Sequence, residues 1–373
     1  PGTVTGATAS LPASTCVGTS DDDVWFEFTA TATSHSIKLL NVTGTTTNMV
    51  HALYQGSDCT VLTQIYCSDP DNSIANNLVI GQVYKIRVYT SVAVPGSVTF
   101  NLCVATILPP IATNVTQYTV PQLVQDVLIG SPCASVSNIT WSTGSNFGST
   151  NGIGYFQQNG SAFPFANGLV LSTGSATSAP GPNDSTLGEG SAAWPGDTQL
   201  FNYIQGLGID TGLTQYRNAS VLEFDFVPIA DQMSFDFLFA SEEYGTFQCS
   251  FSDAFAFFLT DVSTGVTTNL AVVPGTTVPI SVVTIRDNQY NTGCASANPT
   301  YFGAYNGGVN SDSAAIDFNG QTTVMTAQSQ VTPNNLYHIK LVVADRNDNI
   351  YDSAVFIKGG SFSIGNLDLG DNL

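Results

Sequence analysis

Basic residues are scarce in this 373-residue chain: 8 Lys and Arg stand against 28 Asp and Glu, a formal net charge of −20. Without a Lys/Arg cluster to displace counterions from phosphate, nucleic acid is excluded as a partner, and anionic membrane surfaces are disfavoured for the same reason. Charge of either sign is sparse, at 10% of residues against about a quarter in ordinary globular proteins. No apolar run approaches the ~20 residues of a membrane helix, so direct membrane insertion is not expected. The chain starts at Pro1 with no signal peptide and reads as a mature or excised piece. Catalytic signatures are missing too. His35, His51 and His338 are isolated, and there is no Gly-x-Ser-x-Gly elbow, His-Glu-x-x-His or glycine-rich phosphate loop, so an enzyme is not expected. The seven cysteines form no Cys-x-x-Cys or Cys/His pattern, which argues against a thiolate metal site.

What fills the gap is Gly, Ser, Thr and Asn beside 43% hydrophobic residues. That composition suits extracellular β-proteins with hydroxyl-rich exposed strand faces and turns that need φ > 0. In the first hundred residues Val24, Phe26 and Phe28 alternate with Trp25 and Glu27. Tyr84, Ile86 and Val88 alternate with Lys85 and Arg87, and Val98, Phe100, Leu102 and Val104 with Thr99, Asn101 and Cys103. Period two over short runs separated by turn residues is the mark of antiparallel strands. Leu108-Pro-Pro-Ile-Ala-Thr-Asn114 reads as a linker, because two prolines interrupt pairing and stiffen the chain.

Beyond it, strands are expected near Leu169–Ser172, Val221–Val227, Phe235–Ala240, Ala254–Leu259, Val282–Ile285, Ala315–Phe318, Leu336–Ala344 and Ala354–Gly359. Short helices are expected at Pro121–Ile129 and Gln199–Ile204. The fold class is therefore all-β, with two β-sandwich domains. Residues 1–106 form a small disulfide-stapled module, 107–115 a Pro-rich linker, and 116–367 a larger jelly-roll-like sandwich with long loops and one or two short helices. Spacing favours the disulfides Cys16–Cys103, Cys59–Cys67 and Cys249–Cys294, leaving Cys133 as a buried thiol or an intermolecular partner.

Two blocks carry a family resemblance. Phe235-Asp-Phe-Leu-Phe-Ala-Ser-Glu-Glu-Tyr, Phe247-Gln-Cys and Asp253-Ala-Phe-Ala-Phe-Phe-Leu, followed by Tyr337-His-Ile-Lys-Leu-Val-Val-Ala-Asp and Tyr351-Asp-Ser-Ala-Val-Phe-Ile, resemble the choice-of-anchor L domain. Asp21-Asp-Asp-Val-Trp-Phe-Glu-Phe and Tyr84-Lys-Ile-Arg-Val-Tyr resemble the small β-sandwich modules, akin to prepeptidase C-terminal domains, of the same surface proteins. The resemblance implies a secreted or cell-surface protein of the type IX, gliding-associated export system of Bacteroidetes, with export or surface-assembly proteins as partners. It assigns no activity.

The same blocks hold the candidate site. Asp345, Asn347 and Asn349 recur every second residue, and Asp348 and Asp352 add oxygens, with Arg346 the only cation in Phe235–Tyr244, Asp253–Leu259 and Ala344–Phe356. Like charges at strand ends resist burial unless a cation joins them, and hard oxygens in a turning loop suit calcium. Asp345, Asn347, Asn349 and Asp352, helped by Glu243, are the candidate calcium ligands, and calcium is the expected cofactor. The competing reading is an Asx-rich loop that caps its own backbone. Asp253, before aromatic residues in a stretch similar to one in legume-type lectins, is the candidate sugar contact. Asp21-Asp22-Asp23 reads as a solvated loop. The expected function is a non-enzymatic, adhesin-like or carbohydrate-binding surface module that meets a glycan or cell-surface partner. The alternatives are a secreted glycan hydrolase using Glu243 with Asp253, or a purely structural stalk.

Overall fold

The computed structural model describes residues 1–10, 15–56, 61–92, 96–129 and 135–365. Cys59 and Cys133 lie outside them. The chain divides into two compact units, Pro1–Leu108 and Pro109–Leu373. The smaller unit contains β1 (Gly2–Thr3), β2 (Val24–Thr29), β3 (His35–Gly44), β4 (Met49–Gln55), β5 (Thr63–Ser68), β6 (Asn72–Ala75), β7 (Val83–Thr90) and β8 (Val98–Thr106). They form two four-stranded antiparallel sheets, ordered β1-β8-β3-β6 and β2-β7-β4-β5. Alternation explains the pairing: Ile37, Leu39, Val98 and Phe100 of one sheet meet Met49, Leu53, Ile86 and Val88 of the other in a single buried core.

The disulfide of this unit joins Cys16 to Cys67, not to Cys103. The segment before β2 lies along β5, where the Gln64 side-chain amide donates to the Thr15 hydroxyl at 2.5 Å, so Cys16 arrives beside Cys67. Cys67 is thereby unavailable to Cys59. Cys103 sits on the outward side of β8 as an exposed free thiol.

The larger unit runs through β9 (Ala112–Asn114), β10 (Ser135–Ser142), β11 (Ile153–Gln157), β12 (Asn167–Ser172), β13 (Tyr216–Val227), β14 (Gln232–Ser241) and β15 (Ala254–Asp261). It continues with β16 (Val266–Asn269), β17 (Phe302–Tyr305), β18 (Gly320–Thr322), β19 (Met325–Gln330), β20 (Tyr337–Arg346) and β21 (Ser353–Lys358). One antiparallel sheet is β10-β13-β20-β15-β16. The other is β17-β18-β14-β21-β12-β11-β9, with β19 also on β14. Ala112–Asn114 of the expected linker is thus the first strand of this unit, paired with β11.

The central strands β14, β15, β20 and β21 read as nearly continuous apolar runs because both of their faces are covered. Phe235, Phe237 and Phe239 of β14 face Phe255 and Phe257 of β15 between the sheets. Leu238 and Phe356 point the other way, into a second core capped by Phe163, Phe165, Ile316 and Phe318. Ala256, Phe258 and Val342 point outward from the five-stranded sheet beneath Leu200 and Ile204 of the helix Thr198–Leu207. That helix is capped by the Asp197 carboxylate on the Leu200 N–H at 2.8 Å.

Two expected strands are absent. Ala315–Phe318 makes only an isolated bridge at Ile316, and Val282–Ile285 is a turn with Val282 and Ile285 buried. Both are apolar plugs over a sheet rather than members of one. Leu123–Ile129 is a π-helical turn after the Thr119 capping box, and it buries Leu123, Val124, Val127 and Leu128.

Candidate functional site: a buried carboxylate cluster

The topology of the larger unit brings four strand ends to one end of the sandwich. β14 and β21 are antiparallel neighbours, so Ser241 at the end of β14 pairs with Ser353 at the start of β21. β15 and β20 are likewise neighbours, with Ala254 opposite Ala344. Glu242 and Glu243 therefore follow one strand, Asp352 precedes its partner, Asp253 precedes the third and Asp345 closes the fourth. All five carboxylate residues are at most 2% exposed. Hydrogen bonds tie the ends together. The Glu242 N–H donates to the Asp352 carbonyl at 3.0 Å. The Asp253 N–H donates to Glu243 Oε2 at 2.9 Å, the Arg346 N–H to Asp253 Oδ1 at 2.9 Å, and the Ser353 hydroxyl crosses between the sheets to Asp253 Oδ2 at 2.7 Å.

These bonds leave the cluster short of donors. Neither oxygen of Asp345 has a partner in hydrogen-bond geometry, the nearby Thr173 hydroxyl being engaged with Ser353 and only easing the charge, and Asp352 Oδ1, Glu242 Oε2 and Asp317 Oδ1 are also buried without one. A buried carboxylate without donors carries a large desolvation cost. Burial accordingly pushes Glu242 up to about 8, against the Leu187 N–H and with help from the Asp317 and Asp352 charges. Burial pushes Asp352 up to about 7, against the Glu189 N–H and with help from the Glu189 charge. Asp345 and Glu243 are held well above the ordinary carboxylate range by burial first and the Asp253 charge second. The Arg346 guanidinium gives little relief, because it forks onto Asp210, with Nη2 2.6 Å from Oδ1 and Nε on Oδ2. Space is also tight. A Cβ on Gly174 would lie 1.8 Å from Asp352 Oδ2, so only glycine lets the backbone pass that carboxylate.

The structure separates the expected ligands. Asp345, Asp352, Glu243 and Asp253 come together. Asn347 does not join them. It is in the left-handed region at φ 69°, and its Oδ1 accepts from Thr214 N–H at 2.8 Å, Thr214 Oγ1 at 2.9 Å and Gln215 N–H at 3.3 Å. Its amide nitrogen donates to the Gly212 carbonyl at 2.9 Å. Asn347 therefore fastens the 212–215 loop, and no lone pair is left for a cation. Asp348 accepts from the Ile350 N–H at 3.0 Å in an Asx turn, and Asn349 is half-buried in the same turn. Asp253 is closed to a sugar, since it is 1% exposed with both oxygens engaged inside the protein. Glu243 and Asp253 are buried and tied by the Asp253 N–H to Glu243 Oε2 bond, whereas a hydrolytic pair flanks an open cleft. Asp317, Thr173 and Asp210 were not legible as members of this end, being far apart in the sequence.

In the smaller unit the acidic run is not a solvated loop. Asp22 is buried and accepts from Thr90 N–H at 2.9 Å, Thr90 Oγ1 at 2.7 Å and Gly96 N–H at 2.7 Å. Asp23 accepts from Arg87 Nε at 3.0 Å, in a pair with both side chains fully buried, and from Trp25 Nε1 at 2.8 Å. Arg87 stands between the Trp25 and Tyr89 rings, 5.6 and 5.8 Å from their centroids. Aromatics in and beside the loops of the larger unit take two roles. Trp194 is a fully buried plug donating to the Ala219 carbonyl, while Tyr290 and Tyr305 stack at 4.5 Å.

Residues 111–363 match the family model described as the choice-of-anchor L domain. The chain belongs to that family. Residues 3–102, which coincide with the smaller sandwich, match a model described as galactose binding domain-like and associated with type IX secretion. Together the two matches point to an extracellular surface module. No curated protein matches it. Among solved structures, the crystal structure of a protein from Eubacterium rectale is similar at 8% identity, covering 92% of this chain and 72% of that one, with a TM-score of 0.22. That likeness is too slight to carry an argument. In the choice-of-anchor L domain of this chain, the carboxylate cluster falls within the matched residues, at the ends of β14–β15 and β20–β21.

Among the described residues, no three acidic, histidine or cysteine groups form a ready-made metal sphere. A cation at this end would rest on Asp345 and Asp352, whose free oxygens are hard donors. Water, hydroxyl and main-chain oxygens would make up the rest, as calcium accepts. Among the same residues, no helix is long and apolar enough to cross a membrane.

Proposed function

We propose that this chain is a non-enzymatic, adhesin-like module of a type IX-exported, gliding-type surface protein, and that calcium stabilises its choice-of-anchor L domain at the carboxylate end. Its partners would be a glycan or another cell-surface component on the outward side and export or surface-assembly proteins on the other. One observation carries the calcium reading: the Asp345 carboxylate is fully buried and neither of its oxygens meets a donor in hydrogen-bond geometry, beside Asp352 with one oxygen in the same state. A proton on each would satisfy the charge, yet it would leave the acceptor oxygens bare. A divalent ion satisfies charge and lone pairs together. It would also tie β20 to β21, hence one sheet to the other, at the end where the loops are longest.

Isothermal titration of chelator-stripped protein with calcium tests this. Wild-type chain is expected to bind calcium and release protons as it does so, and Asp345→Asn and Asp352→Asn are expected to abolish the heat. No heat with wild type, together with no calcium by elemental analysis, would leave the protonated cluster as the better account. A reducing-sugar assay on polysaccharides is expected to show no turnover in either state.

A further inference from the structure

A second feature of the larger unit is not used by the carboxylate end. The five-stranded sheet finishes at β16, and β19 pairs only with β14 among the described strands. These two edges, the 270–277 turn and Tyr203 of the helix enclose a groove of about 520 Å3. That volume lies within the ~300–1,000 Å3 of ligand sites. Its lining departs from the rest of the molecule. In a chain of net charge −20, no residue of the groove is charged, and most carry a hydroxyl or an amide.

We propose that this groove binds a neutral glycan. Thr268 and Thr277 on one side and the Gln328 amide on the other offer groups that both donate and accept, as sugar hydroxyls do, while Thr267 and Ser329 already bond to Thr260 and to the Gln330 carbonyl. Tyr203 adds a half-buried ring braced edge-on against Phe258 at 5.3 Å, a rigid apolar face for the C–H side of a sugar ring. The absence of Lys and Arg leaves nothing to hold a uronate, sulfate or phosphate, and the absence of carboxylates nothing to hold an amine. An added peptide strand would need alternating apolar pockets along an open edge. The rim of hydroxyls and amides fits that occupant less well. This inference rests on the surface-module reading and supplies the ligand class that Asp253 cannot.

Calcium-loaded full-length chain would be applied to an array of neutral hexose, pentose and N-acetylhexosamine oligosaccharides beside uronate- and sulfate-bearing ones. Binding is expected on neutral members only. The Thr268→Val/Gln328→Leu double variant, which keeps shape and removes hydrogen-bonding groups, is expected to bind about tenfold more weakly with an unchanged melting temperature. Tyr203→Ala is expected to weaken binding further. Three results would overturn the proposal: no neutral glycan bound by wild type, undiminished binding by the double variant, or capture of extended peptides alone. Melting with and without calcium, run on the same samples, separates this failure from failure of the calcium reading.

Discussion

Asp345 and Asn347 stand two residues apart and meet opposite fates. The side chain of Asn347 is saturated by the 212–215 loop, whereas that of Asp345 ends β20 inside the sandwich with no donor in hydrogen-bond geometry. Asn347→Ala is therefore expected to cost about 1–2 kcal/mol in urea unfolding, equally in calcium and in chelator. Asp352→Ala is expected to cost much more in calcium than in chelator. A calcium-sensitive loss in Asn347→Ala would mean that the loop, not the strand ends, holds the ion. Sequence spacing cannot distinguish the two residues, because alternate Asx positions look alike until the end of the strand is fixed. The same limit hid Asp23, whose burial depends on Arg87 sixty-four residues away. Arg87→Ala leaves that carboxylate buried without its counter-charge, held by the neutral donors of Ser10 and Trp25, and the first unit is expected to lose about 3–5 kcal/mol. A loss below 1 kcal/mol would show that Asp23 is hydrated instead.

Strands of the large domain were legible where apolar runs were long, as in β14, β15, β20 and β21. The runs Val282–Ile285 and Ala315–Phe318 misled, because an apolar plug over a sheet and a strand within it bury the same residues. Strands β10 and β19 escaped notice because they lie at sheet margins and are largely polar, reading Ser-Val-Ser-Asn-Ile-Thr-Trp-Ser and Met-Thr-Ala-Gln-Ser-Gln. The cysteine pairing was half legible. Cys249 and Cys294 are joined, but Cys16 goes to β5 because the chain before β2 lies there. Non-reducing peptide mapping is expected to recover Cys16 with Cys67, and recovery of Cys16 with Cys103 would overturn the packing of that segment.

Register also sets a titration. His338 on β20 lies across from Asp225 on β13, with Nδ1 2.7 Å from Asp225 Oδ1 and Nε2 3.4 Å from Glu223 Oε2. The hydrogen bond to Glu223 leads in raising its pKa, with burial opposing and Asp225 adding. A raised folded value means the pair stabilises fully below the ordinary histidine pKa of ~6.5 and fades as pH rises through the folded value. His338→Gln is expected to flatten that decline in thermal melts. An unchanged profile would assign it elsewhere.

Across the whole molecule the charge is −20, and the carboxylate end concentrates the part that water cannot reach. Carboxyls raised in the folded state bind more protons folded than unfolded, so their contribution is complete below ~4 and is lost as pH climbs through the folded values. With Asp352 near 7 and Glu242 near 8, stripped protein is expected to lose stability steadily from weak acid to pH 8. Calcium replaces those protons and is expected to flatten the decline. The most direct measurement is the melting temperature of the full chain at pH 8 in calcium and in chelator, for wild type and Asp345→Asn. A hundredfold excess of calcium over its dissociation constant supplies about 2.7 kcal/mol, or about 5–10 °C for a unit of this size. Wild type is expected to show that gain. Asp345→Asn is expected to show none, and to melt above stripped wild type because one buried charge is gone. Identical melting of wild type in calcium and in chelator would contradict the account.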